Sequence, residues 1–260
     1  YKVTVNIADH DYLIGDYNIH VYLYTNNGLL KTYVSPTFNV EMPNVDINAK
    51  DSDGTESTYN LKMTGAGTVK NVKRVRFAVW SEKNGQDDLI WYEGTKGTSG
   101  QWTAVANITK NHKTAGVYQL HAYAVTTDGK SHFMGKTTFE VTEPSMSVSV
   151  ENYQKDKGTF DVVVRDIKTP AGVSQVQVPV WAADGQKDLV WHTAKKQNDG
   201  SYKVTVNIAD HDYLIGNYNI HVYLRTKNGV LKTYVTDGLN VSMPNVDITA
   251  KDKDGTENTY

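Results

Sequence analysis

The sequence predicts an all-β protein built from tandem two-sheet sandwich repeats of about 100 residues and about seven strands each. Two observations predict this fold class. Residues 1–59 recur as residues 202–260 with roughly 80 % identity, and a diverged third copy lies between them. Within each copy apolar residues alternate with polar ones, as in Val75, Phe77 and Val79, which is the period of a strand and not of a helix.

A short junction that contains proline marks each repeat boundary. The junctions lie at Pro43, Pro144 and Pro244, once per repeat, as expected of connections between domains. The predicted segments are the C-terminal part of a repeat at 1–43, complete repeats at 44–144 and 145–244, and the N-terminal start of a further repeat at 245–260. Because the first segment would supply only the last strands of a sandwich, we expect it to pair with another chain or to dock on a neighbouring repeat.

The strands of the first complete repeat are separated by turn dipeptides such as Asn84-Gly85. They are predicted near residues 45–50, 58–64, 72–80, 88–94, 101–108, 117–126 and 132–141. At the start of the sixth strand a Gly-x-Tyr motif places Tyr118, and the same motif places Tyr17 and Tyr218. In immunoglobulin and fibronectin type III domains a tyrosine at this point bonds back to the preceding corner. The motif therefore predicts immunoglobulin- or fibronectin-III-like β-sandwiches, in which the three tyrosines have a structural role.

Composition limits the possible functions. The 27 basic and 29 acidic residues are spread evenly and give a net charge of -2, which argues against nucleic acid and anionic membrane as partners. The absence of cysteine excludes disulfides, thiolate zinc sites and cysteine nucleophiles. The sequence contains no HExxH, phosphate-loop or nucleophile-elbow motif, so we predict no cofactor, no metal and no catalytic residue. Repetition itself favours binding, because several weak sites gain by avidity.

Strand alternation predicts an outward stripe of aromatic and histidine side chains on each complete repeat. If Val75, Phe77 and Val79 face the core, Trp80 faces outward on the third strand, and the sixth strand adds outward residues beside it. The fourth strand adds a tryptophan whose direction is ambiguous, because residues 89–92 are apolar on both faces. The predicted ligand-binding residues are Trp80, Trp91, His121, Tyr123, Trp181, Trp191, His221 and Tyr223.

Such rings suit carbohydrate, whose C–H faces stack on aromatic rings while imidazole bonds its hydroxyl groups. The alternative is that the rings pack on one another or at domain junctions and serve stability. The loop residues His10, His112 and His211 are expected to cap turns or to be solvated, and not to bind metal. The Asp/Gly clusters at 84–88 and 184–188 are interpreted as hairpin turns and not as calcium loops.

Two stretches of the first repeat, 79–92 and 116–123, resemble the Bsp-like repeat of streptococcal secreted cell-wall hydrolases. The second repeat has the same pattern at 179–192, shortened by one residue. The resemblance implies a non-catalytic region that directs a separate module, such as a muramidase, to the wall. It implies a location that is secreted or on the bacterial cell wall, and a ligand that is peptidoglycan or a wall-attached glycopolymer.

Two other functions stay open at this point. The array could be a surface adhesin that binds a host surface protein or matrix through open sheet edges or through the same stripe. It could also be a passive spacer stalk, if the tryptophan and histidine side chains are buried at domain junctions. No oligomeric state is predicted.

Overall fold

The structure, a computed structural model, describes residues 1–11, 13–66, 72–253 and 255–258, and for Asn111 the backbone alone. It divides into two compact units, one formed mainly by residues 1–143 and the other mainly by residues 144–260. The regular secondary structure of both units is almost entirely antiparallel strand, as predicted. Within the described ranges, none of the helical segments is long and apolar enough to cross a bilayer.

The N-terminal segment forms two small antiparallel pairs of strands. Strand β1 (Gly15–Tyr17) pairs with β4 (Phe38–Val40), and β2 (His20–Tyr24) pairs with β3 (Leu30–Val34). A helical turn at Ile7–His10 precedes them. None of the described residues of this segment is buried, so it has no hydrophobic core of its own.

The first complete repeat is a sandwich of two four-stranded sheets. Its strands are β5 (Asp46–Asp51), β6 (Thr58–Thr64), β7 (Val72–Ser81), β8 (Ile90–Glu93), β9 (Thr95–Lys96), β10 (Trp102–Asn107), β11 (Gly116–Thr126) and β12 (Ser131–Val141), with a helical turn at Ile108–Asn111. One sheet has the order β5-β6-β10-β9 and the other the order β12-β11-β7-β8. The predicted strands are confirmed to within a few residues, except that the predicted strand at 88–94 ends at Glu93 and the chain then crosses to the other sheet as β9.

The inward side chains of the first repeat make one hydrophobic core. Val75, Phe77 and Val79 are fully buried in it, which confirms the predicted direction of the third strand. The Tyr118 ring stacks on Phe139 with the ring centroids 5.2 Å apart. Since a large apolar side chain contributes about 1.5–3 kcal/mol when it is fully buried, this core can hold the sandwich together without disulfides.

The second complete repeat has the same arrangement. Its strands are β13 (Ser145–Gln154), β14 (Thr159–Lys168), β15 (Val173–Trp181), β16 (Val190–Thr193), β17 (Lys195–Lys196), β18 (Tyr202–Asn207), β19 (Gly216–Thr226), β20 (Leu231–Val235) and β21 (Leu239–Val241), with helical turns at Asp184–Gln186 and Ile208–His211. One sheet has the order β13-β14-β18-β17, and in the other β16-β15-β19-β20 are neighbours while β21 also pairs with β19. Phe160 and Tyr218 meet edge to face in its core at 5.9 Å between ring centroids.

The corner tyrosines have the predicted structural role. The hydroxyl of Tyr118 donates to the Thr114 carbonyl oxygen at 2.8 Å, and that of Tyr218 donates to the Leu214 oxygen at 2.8 Å. Tyr17 makes the same bond to the Leu13 oxygen at 2.7 Å. All three bonds reach back four residues, as the immunoglobulin-like corner requires.

Candidate ligand-binding face

The eight predicted ligand-binding residues lie on the outer faces of the β12-β11-β7-β8 sheet and of its counterpart in the second repeat. The aromatic face of the first repeat consists of Trp80, Trp91, His121 and Tyr123, and that of the second repeat consists of Trp181, Trp191, His221 and Tyr223. The ambiguous fourth strand is resolved, because Trp91 lies opposite the outward Ala78 and Tyr92 lies opposite the inward Phe77. That these residues bind a ligand stays a prediction.

Each aromatic face contains two ring pairs that join different strands: one joins adjacent strands, and the other reaches across the strand that lies between its two members. The ring centroids of Trp80 and His121 are 4.6 Å apart and those of Trp91 and Tyr123 are 5.3 Å apart. In the second repeat, the corresponding distances are 4.7 Å and 5.2 Å. The rings meet edge to face or tilted, which is the arrangement that aromatic quadrupoles prefer. The two faces are therefore copies of one geometry.

Exposure divides the tryptophans into two kinds. Trp91 is 41 % exposed and Trp191 is 49 % exposed, whereas Trp80 is only 8 % exposed although it is on the outer side of its sheet. His121 packs on Trp80. Gln119 lies opposite Trp80 on the neighbouring strand, and its side-chain amide donates to the Glu82 carboxylate. A ligand that stacks on the first repeat would therefore meet Trp91, while Trp80 supports the face from below.

Two further residues of the first repeat belong to this surface and were not among the predicted ligand-binding residues. The Arg76 guanidinium carbon lies 4.5 Å from the centre of the Trp91 ring, and Arg76 pairs with Glu93 at 2.9 Å. Phe133, which is 53 % exposed, lies 5.5 Å from the Tyr123 ring centroid. Arg76 lies between the inward Val75 and Phe77, so alternation places it outward, whereas Phe133 lies beside a register shift in β12 that no sequence pattern indicates.

The two faces differ at these positions. In the second repeat Gln177 stands opposite Tyr223 on β15, where the first repeat has Arg76 opposite Tyr123. On the other side Thr233 stands opposite Tyr223, where the first repeat has Phe133. The face of the first repeat is consequently more aromatic and carries a cation, whereas that of the second has neutral polar groups.

Burial lowers the pKa of His121, and the positive charge of Lys136, which lies opposite it on β12, lowers this pKa further. The imidazole is therefore neutral at pH 7, with one nitrogen as donor and the other as acceptor. A neutral imidazole suits hydroxyl groups, which also both donate and accept.

The loop histidines were expected to cap turns or to be solvated. His112 and His211 are buried and bond to turns, which is the first alternative, while His10 is exposed. The His112 Nδ1 lies 3.0 Å from the Asp88 carboxylate, and the His211 Nδ1 lies 3.0 Å from the Asp188 carbonyl oxygen. Each histidine thus ties the helical turn before β11 or β19 to the turn after β7 or β15.

The Asp/Gly clusters form turns, as interpreted. The Asp188 carboxylate accepts the N–H groups of Ala182 and Ala183, and the Asp88 carboxylate accepts that of Ser81. In the described part of the chain, no group of three or more histidine and carboxylate side chains is placed to hold a metal ion.

A shallow concavity lies on the other sheet of the first repeat. Its volume is about 530 Å³, and its polar lining comprises Asn48, Lys50, Asn60, Lys62, Glu93, Thr95 and Thr103. Most of these residues are on β5, β6, β9 and β10, and Glu93 on β8, which pairs with Arg76, lies between the concavity and the aromatic face. Its open shape and scattered amide and amine groups do not define a chemistry.

These features define the class of protein, a tandem array of immunoglobulin-like β-sandwich repeats with an outward aromatic face on each complete repeat. The chain belongs to the GBS Bsp-like repeat family, whose sequence profile matches residues 48–139 and 149–238. The two matches fall within the two sandwiches, and the Bsp-like resemblance expected from the sequence is confirmed. A search of curated proteins finds no match.

Solved structures show only a general likeness. A polysaccharide deacetylase from Bacillus cereus has a TM-score of 0.32 and 14 % identity, with 40 % of this chain and 31 % of that chain covered. Dimeric latent PorU from Porphyromonas gingivalis has a TM-score of 0.31 and 12 % identity, with coverages of 88 % and 24 %. The Group B Streptococcus pullulanase SAP has a TM-score of 0.26 and 10 % identity, with coverages of 74 % and 23 %. The chain spans less than a third of each of these proteins, and likenesses at this level carry no functional argument.

Proposed function

We propose that this repeat region is a non-catalytic module that holds an attached peptidoglycan hydrolase on the bacterial cell wall. The proposed ligand is peptidoglycan or a wall-attached glycopolymer, and the proposed location is outside the cell. We further propose that the array is of the same kind as the repeat region before the muramidase domain of the Streptococcus mutans autolysin, automutanolysin. We therefore propose a muramidase as the attached module.

The observation that carries this proposal is the half-exposed indole on each complete repeat. Trp91 and Trp191 each keep more than a third of their surface free while a tyrosine from the next strand but one contacts the ring from one side. Exposing so much aromatic surface has a cost in water unless a ligand covers it. The apolar C–H face of a hexose has the size and polarity to do so.

Polar groups around the indole match the rest of a sugar. In the first repeat the neutral His121 imidazole and the Arg76 guanidinium are within the same surface and can bond hydroxyl, acetamido or carboxylate oxygens. In the second repeat Gln177 offers an amide at the corresponding place. N-acetylated glycan with acidic substituents, the chemistry of peptidoglycan, suits both faces.

Two copies of one weak site on a single chain support retention on a polymer. A ligand with repeating sugars can engage both faces, and the second contact then forms at a high effective concentration. Affinity of each face for a short glycan is expected to be low, because one ring stack contributes only about 0.5–1.5 kcal/mol.

The proposal is tested by sedimentation of the 260-residue chain with purified streptococcal sacculi, before and after attached polysaccharide is removed. The variant carries Trp91→Ala and Trp191→Ala, which remove the exposed rings and leave both cores intact. We expect its apparent affinity for sacculi to fall by about tenfold or more, since both stacks are lost together. The control is Tyr213→Asn, which removes a still more exposed ring from a loop and suits the positive φ of 55° at that residue.

Each outcome of this experiment decides something. Equal retention of the parent and the tryptophan variant would show that the aromatic faces do not bind the wall. Failure of the parent to sediment would exclude wall targeting and favour the adhesin or the spacer. A fall in the turbidity of the sacculi with the chain alone would contradict the non-catalytic assignment.

A further inference from the structure

The second repeat contains a pair of histidines in its interior that the first repeat lacks. His192 on β16 lies opposite the inward Val178, and its ring centroid is 5.9 Å from that of His211. His211 is completely buried at the end of its helical turn. The corresponding residues of the first repeat are Tyr92, which lies opposite the inward Phe77, and His112.

The first repeat shows how this position is satisfied when a tyrosine occupies it. The Tyr92 hydroxyl lies 3.2 Å from the His112 Nε2, and His112 Nδ1 lies 3.0 Å from the Asp88 carboxylate. A hydroxyl can donate to the neutral imidazole, so both ring nitrogens of His112 have partners. The Tyr–His–Asp chain is therefore complete.

In the second repeat the corresponding chain is broken. The Nε2 atoms of both His192 and His211 are buried and have no hydrogen-bond partner among the residues that the structure describes. Two neutral imidazoles can share at most one proton between facing nitrogens, and two protonated ones repel each other. Replacement of tyrosine by histidine thus converts a satisfied contact into one whose energy depends on protonation.

One carboxylate lies near each histidine of the pair. The Asp188 carboxylate lies 3.3 Å from the His211 Nδ1, where it stabilises His211 alone, and Asp210 interacts with His192 from the helical turn. Tyr218 on β19 meets the His211 ring edge-on at 5.4 Å, and its hydroxyl is committed to Leu214. The inward side chains of β15 and β18 are valines and Tyr202, which carry no charge near neutral pH.

We infer that the His192–His211 pair makes the second repeat sensitive to acid, whereas the Tyr92–His112 pair leaves the first repeat without this sensitivity. Acidification would loosen the second sandwich through this pair, whereas the histidine of the first sandwich whose pKa is lowered is His121, on the aromatic face and outside the core. The His192–His211 pair is not part of either aromatic face. The acid sensitivity of the second repeat can therefore be measured without any ligand, and the result does not depend on whether the chain binds the wall.

The direction of the effect follows from the pKa of His192. Burial lowers this pKa, the neighbouring His211 lowers it further, and the carboxylate of Asp210 opposes both without reversing them. The unfolded chain therefore takes up the proton first, near the ordinary value of 6.5. Above pH 6.5 the second repeat has its full free energy of unfolding. This free energy decreases as the pH falls from 6.5 to the lower pKa of His192 in the folded state, and below that pKa it does not change further.

The test uses the whole chain and two reciprocal substitutions. Urea midpoints are measured for each repeat by pulse-labelling hydrogen exchange at one fixed labelling pH, after equilibration at about pH 7.5 and at about pH 5. In the parent chain we expect the midpoint of the second repeat to fall on acidification by more than that of the first. His192→Tyr should remove this excess, because it installs the contact seen in the first repeat, and Tyr92→His should transfer the sensitivity to the first repeat.

A second measurement keeps the inference testable if a substitution prevents folding. The imidazole of His192 is followed by NMR in the folded parent chain, with His192→Gln to assign the signal. A midpoint below 6.5 is expected. A midpoint at or above that value would overturn the inference, and so would an unchanged acid response of the second repeat in the His192→Tyr or His192→Gln chain.

Discussion

At the scale of single residues, the hydroxyl of each corner tyrosine has a role separate from that of its ring. Tyr218 is almost fully buried, its ring packs on Phe160, and its hydroxyl donates to the Leu214 carbonyl. Burial raises the pKa of Tyr218 to about 12, so this hydroxyl stays a donor throughout the neutral and mildly alkaline range.

Tyr118→Phe and Tyr218→Phe should each destabilise their own repeat by about 1–2 kcal/mol, because a partly buried carbonyl loses its donor while ring packing is kept. The free energy of unfolding in urea measures this. Tyr17→Phe is the matched control: it removes the same bond from a segment without buried residues and should leave both repeats unchanged. An unaltered midpoint for Tyr218→Phe would mean that the corner bond does not contribute to stability.

Residue patterns predicted the side of the sheet on which a ring lies but not how far it is exposed. Alternation correctly predicts that Trp80 lies on the outer side of its sheet. The neighbouring side chains His121 and Gln119 nevertheless cover Trp80, so that only 8 % of it is exposed. Exposure depends on contacts between strands that are distant in sequence, and these are set by register. Phe133 was not predicted for the same reason: it lies opposite Tyr123 only because the register between β11 and β12 shifts beside it.

At the scale of elements, one carboxylate organises the turn after β15. Asp188, whose side chain is 3 % exposed, accepts the N–H groups of Ala182 and Ala183 and contacts His211. Burial alone would raise the pKa of this carboxyl, but the bonds from Ala182 and Ala183 outweigh burial and hold it below 3.8. The charge of Asp188 is therefore part of the turn's structure.

Asp188→Asn should cost the second repeat about 1.5–3 kcal/mol at pH 7, since hydrogen bonds to a charged acceptor are replaced by weaker ones. Asp184→Asn, in the exposed part of the same turn, is the control and should have little effect. Because the folded pKa of Asp188 is depressed, its contribution is present above about pH 3.9 and is lost as the pH falls below it. Urea unfolding at several pH values measures both effects; a cost for Asp184→Asn as large as for Asp188→Asn would contradict the role of the buried carboxylate.

Most strand boundaries were predictable because they depend on local alternation and turn residues. The change of sheet after Glu93 was not, because residues 89–92 are apolar on both faces and a local pattern cannot say where such a strand leaves its partner. The structure places the change at Gly94, whose N–H donates to the Val75 oxygen at 2.8 Å before β9 joins β10. The His192–His211 contact was not predicted for a related reason. The two histidines are on different elements and distant in sequence, so no local pattern indicates that they meet.

At the scale of the whole molecule, nearly identical sequences have very different surroundings. Ile220, Val222 and Leu224 are fully buried in the core of the second repeat. The equivalent residues of the N-terminal segment, Ile19, Val21 and Leu23, are 40–51 % exposed. The two sequences are nearly identical, but β2 has no partner that corresponds to β15 and no opposing sheet, so stability must come from those strands and not from local propensity.

This contrast gives an internal control for hydrogen exchange. In dilute solution, backbone amides of residues 15–34 should exchange orders of magnitude faster than those of residues 216–235, because local opening of an uncovered pair of strands costs little free energy. As the chain concentration rises, we expect protection of residues 15–34 to increase, since their apolar side chains gain by burial against a second copy. Exchange resolved by mass spectrometry over a dilution series measures this, with residues 216–235 as the reference whose protection should stay constant. Fast exchange of residues 15–34 at every concentration would rule out pairing between copies and leave the exposed strands as a feature of the single chain.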